Sequence, residues 1–147
     1  MGTGSDLMNK LILAMVLALA VTGSHAAELV AEGAWSRIDY DVEGVWRIEA
    51  DGDHLTVHLG DDFVTKNGPD LHVLLSPKPL EELTNDNAMQ GALVAGLLKT
   101  SDDSTFFRKM RGAQSFTLPA GTRLEEYRSI VIHCVEFSHL WAGGALR

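Results

Sequence analysis

Apolar and polar residues alternate with a period of two through much of the chain, in short runs separated by turn residues. Alternation of that kind puts successive side chains on opposite faces of an extended strand, so it predicts β structure. Residues 42–50 (VEGVWRIEA) pass through Asp51-Gly52-Asp53 into residues 54–59 (HLTVHL). Asp-Gly between alternating runs predicts a tight hairpin. Asn67-Gly68-Pro69-Asp70 reads as a turn before a strand at 71–75, with Gly68 supplying an unusual backbone angle and Asp70 bonding nearby amides. Pro77 and Pro79 then break the chain, and residues 80–89 read as a polar loop with one helical turn. Residues 92–98 (ALVAGLL) fit strand or helix, and Gly96 favours strand. A further strand at 114–118 ends at Pro119-Ala120-Gly121. The spacing predicts one all-β domain, a single antiparallel sandwich.

The strongest β run is 129–137 (SIVIHCVEF). Alternation puts Ile130, Ile132 and Cys134 on one face and Val131, His133, Val135 and Phe137 on the other. Both faces are apolar up to Cys134, which predicts a central strand covered on both sides. His133 therefore faces away from Cys134, and Glu136 is expected to return to the cysteine's face.

The residues ahead of the sandwich read differently. Lys10 precedes an unbroken apolar run at 11–21 (LILAMVLALAV), followed by small residues to Ala27. Residues 1–26 thus read as a signal peptide cleaved before Ala27, with residues 27–147 as the mature domain. The apolar run falls short of the roughly 20 residues that a spanning helix needs, so an uncleaved anchor is the lesser alternative. Met8 makes a more ordinary start than Met1. The expected destination is secretion, periplasmic in a Gram-negative cell, with no membrane association after cleavage. A net charge of −8 argues against nucleic acid or anionic lipid as partners, since both need a cationic surface. The domain is expected to act as a monomer.

Export makes the cysteine count informative. The chain has one cysteine, Cys134, whereas exported proteins in oxidising compartments usually pair theirs. Three readings stand: a small buried hydrophobe, a functional thiol or ligand, or a disulfide to another chain. His72 alternates with Leu71 and Val73; if its face shares the core with Cys134, it is the best second ligand or proton partner. His54 and His58 fail as a metal pair. Four residues apart on one strand they sit about 13 Å apart, and two ligands of one zinc must lie within about 4 Å. No Ser-His-Asp order, nucleophile elbow or phosphate-cradling glycine loop appears, so nothing supports a hydrolase or transferase.

Three stretches carry a family resemblance. Residues 63–76 (FVTKNGPDLHVLLS) are similar to the signature F-x-x-x-x-GPDL-x-V-x-L-S. Gly96-Leu97-Leu98-Lys99 and residues 111–119 (RGAQSFTLP) are similar to G-x-L-K and G-x-Q-x-[YF]-x-L-P. Residues 129–146 are similar to S-V-x-I-x-C-x-x-F-S-V-x-F-G-x-A-x-L, with His133 and His139 where apolar residues are commoner. Together, over about residues 31–147, the chain resembles the DM-thirteen domain of Skeletor-type animal proteins and many bacterial exported proteins. The resemblance implies a β-sandwich related to the DOMON domains, some of which bind haem or sugar. It also implies electron transfer through the cysteine, here Cys134, as a bare thiol or as the ligand of a prosthetic group such as haem, with a protein redox partner or a small ligand. The rival expectation is a non-catalytic module that grips a protein or glycan at the cell envelope, with Cys134 as core packing.

Overall fold

A computed structural model describes residues 25–99 and 109–146. Residues 1–24 of the expected signal segment lie outside these. Twelve strands run through the described residues: β1 (Glu28–Ala34), β2 (Ser36–Arg37), β3 (Val42–Glu43), β4 (Val45–Asp51), β5 (His54–Leu59), β6 (Val64–Lys66), β7 (Leu71–Ser76), β8 (Leu93–Leu97), β9 (Lys109–Arg111), β10 (Gln114–Thr117), β11 (Ser129–Cys134) and β12 (His139–Ala145). They pair, always antiparallel, into a sheet ordered β1-β4-β5-β10, a facing sheet ordered β2-β12-β11-β7-β8, and a small third sheet β3-β6-β9. Among the described residues no helix is long and apolar enough to cross a membrane.

The core follows from the alternation. Trp46 and Ile48 of β4 and Val57 and Leu59 of β5 meet Leu71, Val73 and Leu75 of β7 and Ile130, Ile132 and Cys134 of β11. Each fully buried aliphatic side chain in such a layer is worth roughly 1.5–3 kcal/mol. The opposite face of β7 and β11 is also covered: Leu74, Val131 and Leu140 form a second apolar cluster with Ala88, against Leu80, Leu83 and Ala92. Asn85 pins that covering segment, since the Leu140 backbone N–H donates to its Oδ1 at 2.8 Å. As the pattern predicts, β11 is central, between β12 and β7, and buried along its whole length.

Several expectations hold and several change. The hairpin at Asp51-Gly52-Asp53 forms with Asp51 opposite His54, and Gly52 takes the positive φ of 62° at the first central position. A 3₁₀ turn occupies Leu80–Glu82 and residues 93–97 are strand. The run 42–50 is not one strand: Gly44, at φ 93°, divides it and sends β3 to the third sheet. The cysteine strand ends at Cys134 rather than continuing to 137. The Val135 N–H leaves the ladder to donate to Asp70 O, and Ser138 closes a tight turn at φ 48° with its N–H on Val135 O. Glu136 thus belongs to a turn and does not return to the cysteine's face.

Gly68 also has a different reason from the one expected. Its φ is not in the positive region. Space is the constraint: a Cβ there would lie 3.0 Å from Leu71 Cδ2 and 3.2 Å from Trp141 Cη2.

Candidate functional site

Strand β12 carries a bulge that builds the site. Ile132 pairs with Ala142, His133 with Leu140 and Cys134 with His139, so Trp141 is the extra residue. A bulge re-aims the side chains around it. Here it turns Leu140 to the outer cluster, sends Trp141 inward with Ala142, and sets His139 opposite Cys134. Trp141 is then locked from three sides. Its Nε1–H donates to Thr65 Oγ1 at 3.0 Å, and Thr65 Oγ1 donates in turn to Asp41 O at 3.1 Å. Its carbonyl accepts the backbone N–H groups of Asp39 and Tyr40, both at 3.1 Å. Its ring stacks on Tyr40 with centroids 3.8 Å apart.

These residues wall a cavity of about 270 Å3. Tyr40, Phe137, His139 and Trp141 give it aromatic sides, the turn Asn67-Gly68-Pro69 and Lys66 complete the rim, and Cys134 lines it from within the sheet. Only 1% of the cysteine is exposed, so the thiol is a buried wall atom of an open pocket. Lys66 Nζ stands 5.1 Å from the Tyr40 ring centroid, within cation–π range. His139 Nε2 lies 2.7 Å from Asp39 Oδ2, which favours the imidazole form that carries a proton on that nitrogen.

His72 is not part of this pocket. In the ladder between β7 and β11, Cys134 opposes Leu71 and His72 opposes His133. Directly opposed residues share a face, so His72 projects with His133 on the outer side of the sheet. The condition that would have made His72 the partner of Cys134 fails, because the register is offset by one residue. Among the described residues no amide bonds to the Asp70 side chain; its Oδ1 holds His72 Nε2 at 2.8 Å. His133 faces away from Cys134, as expected. It is fully buried, and burial followed by the nearby His139 and His72 pushes its pKa down. His54 and His58 lie on the wet face of β5, where His58 Nδ1 meets Ser115 Oγ at 2.8 Å and Thr56 meets Thr117.

Tyr40, Lys66, His139 and Trp141 escape a reading based on local spacing. A tight turn at 135–138 between two apolar runs is the signal that could have placed His139 against Cys134. Among the described residues, no group of three or more His, Cys, Asp and Glu side chains converges on a metal position. Haem does not fit this pocket either. Its volume lies below the roughly 300–1,000 Å3 of pockets that bury drug-sized ligands, and a haem macrocycle needs more room than that.

A two-layer antiparallel sandwich whose single thiol opens into an aromatic pocket defines the class. The family described as "Electron transfer DM13" matches residues 36–142, and the chain belongs to that family. No curated protein and no solved structure matches the chain.

Proposed function

We propose that this domain is an exported electron-transfer module whose redox-active group is the Cys134 thiol, reached through the pocket of Tyr40, Phe137, His139 and Trp141. The observation that carries the reading is the double character of Cys134: withdrawn from bulk solvent, yet lining an open cavity opposite a carboxylate-held histidine. Thiol chemistry runs through the thiolate. His139, with Nε2 tied to Asp39, offers its other nitrogen to the thiol proton. The thiolate then attacks one sulfur of a small disulfide; a new S–S bond forms, the old one breaks, and the other half leaves as a thiolate. The two electrons leave with that thiolate. A second thiol from another molecule then attacks the mixed disulfide, displaces Cys134 as a thiolate and is itself oxidised to a new disulfide, so it delivers two electrons to the domain. One cysteine cannot close an internal disulfide, so oxidation is held as a mixed disulfide with a partner. A cavity of about 270 Å3 with aromatic walls favours small reactants.

Alkylation of the folded protein tests this. Iodoacetamide, a small reagent, is expected to modify one site per chain without denaturant, and a bulky maleimide is expected to react only after unfolding. A thiol that reacts with neither until the chain unfolds favours the rival module, in which Cys134 is packing alone.

A further inference from the structure

The outer face of the five-stranded sheet carries polar chemistry that the pocket does not use. His72 and His133 oppose each other across β7 and β11. Cross-strand neighbours of that kind have Cβ atoms roughly 4.5–5.5 Å apart, close enough for two imidazoles to share one atom between them. Three of their four ring nitrogens, His72 Nδ1 and both nitrogens of His133, are buried without a hydrogen-bond partner. Buried polar atoms are almost always satisfied, so three orphans on one pair call for something that satisfies them. The fourth nitrogen, His72 Nε2, is held by Asp70 at 2.8 Å. A carboxylate on the far nitrogen is the support that metal-bound histidines ordinarily have, and it leaves His72 Nδ1 with a lone pair directed inward.

We propose that His72 and His133 form a buried two-nitrogen site for one soft monovalent cation of the copper(I) type. The ligand number selects the metal. Zinc in a structural site takes four ligands, and no third His, Cys, Asp or Glu joins these two among the described residues. Copper(I), a closed-shell ion, is satisfied by two imidazoles in a line, and imidazole suits copper. Metal–nitrogen bonds of about 2 Å place the two donors about 4 Å apart, within reach of a cross-strand pair. Entry is from the His72 side, where the side chain keeps 21% exposure while His133 keeps none. The site lies on the opposite face from Cys134 and stands independently of the thiol reading.

The test is an anaerobic copper(I) titration of the purified full chain against the chromogenic chelator bicinchoninate. Wild type is expected to take one equivalent, and Cys134→Ser the same. His133→Leu is expected to lose at least 100-fold in affinity, and His72→Gln as much. Asp70→Asn, which removes only the support, is expected to lose about 10–100-fold. X-ray absorption of the loaded wild type should report two nitrogen donors and no sulfur. No retained copper in wild type overturns the proposal, as does binding that Cys134→Ser abolishes and His133→Leu keeps. Circular dichroism of each variant shows that lost binding is not lost folding.

Discussion

His133 allows a prediction in which sign, size and pH dependence all follow from its surroundings. It is fully buried with neither ring nitrogen bonded. A buried polar group without a partner costs about 1–3 kcal/mol. Leucine fills a similar volume and would extend the cluster of Leu74, Val131 and Leu140. His133→Leu in metal-free buffer is therefore expected to stabilise the domain by about 1–3 kcal/mol at pH 7.5. A second contribution appears on acidification. In the unfolded chain the imidazole takes a proton near pH 6.5, while in the fold its pKa is lowered by burial and by His139 and His72. Below about pH 6.5 the unfolded state thus binds more protons than the folded one, and wild-type stability falls with pH by up to about 1.4 kcal/mol per unit. The neighbouring charges are Asp70, beside His72, and Asp39, beside His139, and both are the same in the two proteins. At pH 5 the advantage of the variant should therefore have grown by up to about 2 kcal/mol. Urea unfolding at both pH values, with equal m-values for the two proteins, measures this. A variant less stable at pH 7.5, or an advantage unchanged at pH 5, refutes the reasoning.

Other perturbations reach the pocket. Trp141→Leu removes the bond to Thr65 and the stack on Tyr40, and is expected to cost about 2–4 kcal/mol in urea unfolding while admitting the bulky maleimide to Cys134 in the folded state. Gly68→Ala presses a methyl group on Leu71 and Trp141, both held by strands, and is expected to cost about 1–3 kcal/mol by the same assay. Asp39→Asn frees His139 Nε2 and is expected to slow native alkylation at pH 7 by up to about 10²-fold, with the rate of the unfolded chain unchanged.

The sandwich was legible because its central strands carry their own burial pattern. In 129–134 both alternating sets are apolar, and that alone marks a strand with packing on two sides. Asp51-Gly52 marks its hairpin for an equally local reason. The pocket was not legible, since it depends on register. The extra residue at Trp141 exists only relative to Ile132 and His133 on the neighbouring strand, and it decides whether Leu140 or His139 opposes Cys134. Tyr40 and Asp39 arrive from an irregular segment about a hundred residues earlier, tied to the bulge by two backbone bonds that no periodicity encodes. The misplacement of His72 has the same origin. Local alternation puts it opposite in face to Leu71, but only the pairing of Leu71 with Cys134 shows that it turns away from the thiol.

The proposed function requires Cys134 to exchange electrons through the pocket while the domain stays folded. Incubating the native protein with bis(hydroxyethyl) disulfide, then with excess mercaptoethanol, and following intact mass at each stage tests it most directly. One mixed disulfide per chain is expected, fully reversed by the thiol and absent in Cys134→Ser. An unmodified mass in the folded protein, with modification appearing only in denaturant, would contradict it.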